Sequence, residues 1–195
     1  MMAPLHVTRV SAKFWVADPG SVTPLASEYI AVFHRWIQEA MVDGLLIDVA
    51  DYGHVPDGPG VMLIGHEADR AMDLSGGPGF RFEGKRSRGG VTDQLVRALT
   101  GAASGAALLA ADAALDGVSF DTTRVRIGIA DRLRVPNDDA TLAELSGAIG
   151  EAIDTVFPDT AGELHRQGDR RRPFTVDVSL SSPASLEQVA TPAAG

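Results

Sequence analysis

Residues 45–64 read LLIDVADYGHVPDGPGVMLI, and this stretch decides the fold class of the chain. It contains two short apolar runs, residues 45–49 and 61–64, with the length and composition of β-strands. Gly58-Pro59-Gly60 precedes the second run. Proline presets the first angle of a turn and the following glycine accepts a positive φ, so this tripeptide predicts a turn that leads into a strand. A second Gly-Pro-Gly precedes a third run, residues 80–83, and the pattern therefore predicts three consecutive strands.

Three helices are predicted around these strands, over residues 24–42, 92–115 and 138–157. Their apolar side chains recur at spacings of three and four, which is the pattern of a helix with one buried face. Thr23 and Asn137 are the predicted N-caps of the first and third helices, because their short side chains can accept a hydrogen bond from the first helical turn.

Further strands are predicted at residues 7–16, 123–130 and 174–180, where apolar and polar side chains alternate. The polar segment 159–172 is predicted to be a loop. The resulting order is β-α-β-β-β-α-β-α-β. Because strands that cluster between helices are typical of an α+β fold, we expect a mostly antiparallel or mixed sheet with about three helices.

The domain organisation follows from length and periodicity. A chain of 195 residues has the size of one domain. We expect a single domain over residues 1–180. Residues 181–195 lack periodicity, and they are predicted to be a flexible C-terminal tail.

Composition excludes several functional classes. The chain has no cysteine, so it forms no disulfide and no thiolate metal site. No apolar run approaches the roughly 18 residues needed to span a membrane, and residues 1–18 lack the pattern of a signal peptide. These features predict a cytoplasmic protein, and the frequent Ala, Gly, Asp and Arg are typical of a bacterial source with GC-rich DNA. The net charge of -9 disfavours nucleic acid as a partner, because the phosphate backbone is also negative.

No complete catalytic motif is present in the sequence. It contains no G-x-S-x-G, no H-E-x-x-H and no EF-hand loop. Residues 79–85 match the first seven positions of a phosphate-binding loop, but Arg86 occupies the position where Ser or Thr must hold magnesium. The Phe-Arg-Phe-Glu interior of this segment is more typical of a strand.

Polar residues concentrate between Asp48 and Asp73, and this segment is the predicted site. Acids and a histidine end each of the first two strand runs; they are Asp48, Asp51 and His54, then His66, Glu67 and Asp69. Parallel strands would bring these groups to one end of the sheet. A direct antiparallel pair would separate the strand ends, although the loop that contains His54 could fold back. The long connection from Asp51 to Gly60 allows either arrangement.

Two kinds of chemistry suit these residue types. Imidazole and carboxylate groups bind zinc, manganese or iron, so Asp51, His54, His66 and Asp69 are the candidate ligands of a divalent metal. Alternatively, His66 with Glu67 or Asp69 is a candidate acid–base pair. Asp48 joins the catalytic candidates because it interrupts an apolar run, and a buried carboxylate needs a partner. The competing interpretation is structural, because acids after a strand often cap turns or form surface ion pairs.

The sequence thus supports two functional hypotheses. The first is a small ligand- or metal-binding enzyme whose site lies between Asp48 and Asp73. The second is a non-catalytic interaction or assembly protein, for which a homodimer through the Ala- and Gly-rich face of the second helix is the expected form. A third hypothesis, the binding of an anion by Lys85, Arg86 and Arg88, rests only on a local run of positive charge.

Overall fold

The computed structural model describes residues 7–18, 26–86, 89–158, 160–183 and 185–190. The predicted α+β class is confirmed, since helices pack on a single antiparallel sheet of eight strands. The strands are β1 Val10–Trp15, β2 Leu46–Tyr52, β3 Gly60–Gly65, β4 Ala68–Asp73, β5 Gly79–Gly84, β6 Arg124–Ile129, β7 Gly162–Arg166 and β8 Phe174–Leu180. The helices are α1 Ala26–Gln38, α2 Val91–Ala110, α3 Asp139–Val156 and α4 Leu186–Ala190, with a 3-10 turn at Ala113–Leu115.

The strands lie in the order β2-β3-β4-β5-β1-β6-β8-β7. Consecutive strands β2 to β5 form a meander, and β1 joins this meander to β6 in the middle of the sheet. Helix α1 packs on β2 and β3, α2 packs on β1 and β5, and α3 packs beside α2 and on β7. One face of the sheet therefore carries the apolar core, while the other carries polar side chains from alternate strand positions.

Two strands are present that the sequence did not predict, β4 and β7. Strand β4 carries charged residues at three of its six positions, yet all six residues are buried. Strand β7 is polar because it lies at the edge of the sheet, with one neighbour only. The order of the strands and the three long helices is therefore β-α-β-β-β-β-α-β-α-β-β, two strands longer than expected, and α4 follows the last strand.

Helix α2 approaches the sheet closely because two glycines face it. A Cβ atom at Gly101 would lie 2.6 Å from the ring of Phe82, and one at Gly105 would collide with the ring of Phe80. Both rings are buried side chains of β5. The spacing of four residues between the two glycines thus matches the spacing of the two phenylalanines along the strand.

The helix ends differ from the predicted ones in specific ways. The N-cap of α3 is Asp138, whose side chain accepts a hydrogen bond of 2.9 Å from Thr141 N. The neighbouring Asn137 is buried and instead donates to the carbonyl of Gln167 beyond the end of β7. Thr23, the cap expected for α1, lies outside the described residues.

The C-terminal segment contains a short helix where a flexible tail was expected. Helix α4, Leu186–Ala190, packs against α2. Residues 191–195, the rest of the predicted tail, lie outside the part of the chain that the structure describes. Within the described residues, none of the helices is long and apolar enough to cross a membrane.

Candidate functional site

The predicted site residues lie at two ends of one hairpin. Strands β2 and β3 pair directly and antiparallel, with Leu46 opposite Gly65 and Tyr52 opposite Gly60. Asp51 and His54 therefore lie at one end of β3, and His66 lies just beyond the other end. The six residues of β3 place these ends about 20 Å apart, at roughly 3.3 Å per residue. The structure thus does not bring the four candidate metal ligands together.

Near the first end, the predicted residues make local contacts. The Asp51 carboxylate accepts a hydrogen bond of 2.7 Å from Gly53 N. His54 stacks on the ring of Tyr52, with 6.4 Å between the ring centres. These contacts shape the turn that follows β2. Asp48 lies toward the other end of the hairpin, opposite Ile64, and its exposed carboxylate accepts a hydrogen bond of 2.8 Å from Val49 N.

At the second end, each predicted residue has a cationic neighbour. The Nε2 atom of His66 lies 2.9 Å from an Arg86 guanidinium nitrogen, and Glu67 lies 3.5 Å from the guanidinium of Arg97. Asp69 pairs with Lys85 at 2.7 Å. In the described ranges, no group of three or more His, Asp or Glu side chains is placed to hold a metal ion.

A cavity of about 470 Å³ lies on the helical side of the sheet, beside Glu67. Its walls are the connection between α1 and β2, residues 41–46, and the face of α2 that runs from Asp93 to Gly105. The turn between β3 and β4 closes one end. Arg70 of β4 and Phe82 of β5 form the floor.

Arg70 is a buried cation at the floor of this cavity, only 8% exposed. Its Nη2 atom donates a hydrogen bond of 3.0 Å to the backbone carbonyl of Asp43, and its guanidinium lies 5.3 Å from the centre of the Phe82 ring. Among the described residues, no carboxylate is within ion-pair distance of it. Burial lowers the pKa of Arg70 to about 10, so the side chain still carries its charge at neutral pH.

Most of the hydrogen-bond donors of Arg70 remain open. A guanidinium has five N–H donors, and this one makes a single hydrogen bond to the described part of the protein. Among the described residues, the only fully buried side-chain nitrogen or oxygen without a hydrogen-bond partner is Trp36 Nε1. The unused nitrogens of Arg70 are therefore not completely sealed from solvent, and Arg70 lines the cavity.

Four other charged residues line the cavity. Arg97 faces Glu67, and its positive charge acts to lower the pKa of Arg70. The Asp93 carboxylate accepts a hydrogen bond of 2.8 Å from Gly90 N and so caps its own helix. The Asp43 carboxylate makes no hydrogen bond or ion pair with the described residues.

Arg70 was not among the residues that the sequence singled out, and the structure directs its side chain away from the neighbouring Asp69 and Asp73. In β4, successive side chains point to opposite faces, so Arg70 faces the helices while both aspartates face the other side. The signal that could have identified Arg70 is the alternation of Ala68, Arg70 and Met72, in which a cation occupies an apolar face. Recognising that signal requires knowing that β4 is a strand.

Lys13 and Asp73 form a second buried arrangement, on the face of the sheet away from the helices. Lys13 is only 2% exposed, and its Nζ atom lies 2.8 Å from the Asp73 carboxylate. It also donates to the carbonyls of Ser75 and Gly77 at 2.8 and 2.7 Å. Burial lowers the pKa of Lys13, while Asp73 acts in the opposite direction. Because every donor of this ammonium has an acceptor, the pair is structural and leaves nothing for a ligand to bind.

No family model matches the chain, and no curated protein is significantly similar to it. The fold and the cavity together define an α+β protein with an under-coordinated arginine at the floor of a solvent-accessible cavity.

Proposed function

We propose that the protein binds a small organic acid in this cavity and that Arg70 holds the carboxylate of the ligand. The observation that carries the proposal is a buried guanidinium with open donors and no carboxylate partner in the described residues. Burying a charge without a partner is costly, and a guanidinium pairs with a carboxylate through two parallel hydrogen bonds. A ligand carboxylate would supply the missing partner.

The size and lining of the cavity support a small molecule as ligand. A volume of about 470 Å³ lies within the range of roughly 300–1,000 Å³ that is usual for small-molecule sites. Such sites combine apolar walls with a few polar groups that orient the ligand. Here Val42, Leu46 and Val96 supply apolar wall, and Arg70 supplies the orienting charge.

Calorimetric titration with a panel of small carboxylates tests this proposal. We expect the protein to bind members of the panel, and the Arg70→Met variant to lose that binding. The control is Arg134→Met, because Arg134 is a largely exposed arginine paired with Asp131 and does not line the cavity. Equal affinity in the wild type and in Arg70→Met would contradict the proposal.

Self-association is a second candidate function, favoured by the edge strand β2. Ile47 and Leu45 at this edge are 59% and 67% exposed, and β2 pairs with β3 alone. The Ala- and Gly-rich face of α2, which the sequence suggested as an interface, is instead buried against the sheet. Light scattering at high protein concentration distinguishes a homodimer from a monomer. A homodimer through β2 would become a monomer in the Ile47→Lys variant.

A further inference from the structure

The charges that line the cavity do not suit a ligand that carries only negative charge. Two arginines and three acids lie around it, so the formal charge of the lining is negative. Two of the acids are already engaged, since Asp93 caps α2 and Glu67 faces Arg97. Asp43 is the remaining acid, and its carboxylate makes no hydrogen bond or ion pair within the described ranges.

Asp43 and Arg70 are close together without forming an ion pair. The backbone carbonyl of Asp43 accepts the hydrogen bond from Arg70, which places this residue at the guanidinium. The Asp43 carboxylate is not within ion-pair distance of Arg70, yet its negative charge acts to raise the pKa of Arg70. A cation with open donors and an unpaired anion therefore line the same cavity.

Such a pair of separated charges is complementary to a zwitterion. In an α-amino acid, one carbon atom separates the carboxylate from the ammonium group. The carboxylate would pair with Arg70, and the ammonium would pair with Asp43, so that both protein charges gain a partner. A ligand with a carboxylate alone would leave Asp43 unpaired beside a second negative charge.

The walls of the cavity indicate the side chain of the ligand. Met41 and Leu45 lie in the same connection as Asp43, and both are exposed large apolar residues. Val96 of α2 is a further apolar lining residue. An apolar ligand side chain would remove part of this surface from water, which is favourable. We infer that the organic acid of the proposed function is an amino acid with an apolar side chain.

Four related ligands separate these features in calorimetric titrations. L-leucine carries both charges and an apolar side chain; N-acetyl-L-leucine lacks the ammonium, L-leucinamide lacks the carboxylate, and glycine lacks the side chain. We expect L-leucine to bind more tightly than each of the other three by about tenfold or more, because each of them removes one interaction.

The variants test the assignment of each charge. We expect Asp43→Asn to abolish the preference for L-leucine over N-acetyl-L-leucine, and Arg70→Met to abolish the preference for L-leucine over L-leucinamide. Asp154→Asn is the control, since Asp154 is an exposed acid of α3 that does not line the cavity. It should bind as the wild type does, and circular dichroism would establish that each variant is folded.

The outcomes separate this inference from the proposed function on which it rests. If N-acetyl-L-leucine binds as tightly as L-leucine and loses its affinity in Arg70→Met, the inference is overturned and the proposed function stands. If L-leucine binds equally well to the wild type and to Asp43→Asn, the role of Asp43 is overturned. If no carboxylate binds, both are overturned.

Discussion

Arg70 and Phe82 lie opposite each other on neighbouring strands, and the guanidinium of one is 5.3 Å from the ring centre of the other. The ring also lies against Gly101 of α2, so it separates the cation from the core beneath the helix. The aromatic face stabilises the charge from one side only. Arg70 also lines the cavity and makes a single hydrogen bond to the described residues, which makes it the expected ligand-binding residue.

Replacing Arg70 by methionine should abolish ligand binding without destabilising the protein. Methionine has a similar length and packs well on an aromatic ring. Because a buried charge without an ionic partner is replaced by an apolar group, we expect the free energy of unfolding to stay equal or rise by about 1 kcal/mol. Urea titration of the ligand-free protein measures this change. A loss of more than about 2 kcal/mol would instead assign Arg70 a structural role.

Removing Lys13 should be strongly destabilising. Lys13→Met leaves the buried Asp73 carboxylate without its counter-charge, and we expect a loss of about 3–5 kcal/mol in the free energy of unfolding. The double variant Lys13→Met/Asp73→Asn should lose less than the sum of the two single variants. Additive losses would show that the two residues do not interact. The comparison is the pair that the largely exposed Arg134 forms with Asp131, where Arg134→Met should cost less than about 1 kcal/mol.

Two glycines in helices should respond in opposite directions to alanine. At Gly105 the added Cβ atom would collide with the buried ring of Phe80, and we expect a loss of about 1–3 kcal/mol. At Gly147 in α3 no atom lies within 4 Å of the added Cβ, so the higher helix propensity of alanine should contribute up to about 1 kcal/mol. Thermal unfolding of Gly105→Ala and of Gly147→Ala measures the two changes in stability. Equal effects would mean that α2 does not approach β5 as closely as described.

Elemental analysis addresses the metal hypothesis that came from the sequence. His54 and His66 lie beyond opposite ends of β3, too far apart to share an ion. We expect protein purified without chelator to contain no stoichiometric metal bound through these residues. The double variant His54→Ala/His66→Ala should therefore have the same metal content as the wild type. Near-stoichiometric metal that disappears in the double variant would contradict this expectation and restore the segment from Asp48 to Asp73 as a metal site.

Much of the fold could be predicted because its signals are local. Strands β1, β6 and β8 alternate apolar and polar side chains, and the apolar ones are buried in the structure. The long helices show the spacing of three and four that a single buried face requires. In strand β4 this signal is obscured, because Asp69, Arg70 and Asp73 place charges on both of its faces. Its charged residues tolerate burial because each has a partner from a distant part of the chain. Lys13 pairs with Asp73, Lys85 pairs with Asp69, and the Asp43 carbonyl accepts a hydrogen bond from Arg70.

The candidate site was less predictable than the fold. The sequence singled out the segment that contains Glu67 and Asp69, and Glu67 does line the cavity. The sequence left open whether the two histidines of that segment meet, and the antiparallel pairing of β2 and β3 separates them. Arg70 was not a candidate, because recognising it as a cation on an apolar face requires knowing that β4 is a strand.

By itself, the sequence determined the α+β class, the three long helices and most of the strands, because hydrophobic periodicity depends on neighbours only a few residues apart. Only the tertiary structure decided that Arg70 and Asp43 line one cavity and that Lys13 forms a buried ion pair with Asp73. Those relationships depend on strand order and on which face each side chain takes. Arg70 and Asp43 are 27 positions apart, and Lys13 and Asp73 are 60 positions apart. No local sequence pattern encodes contacts over such separations.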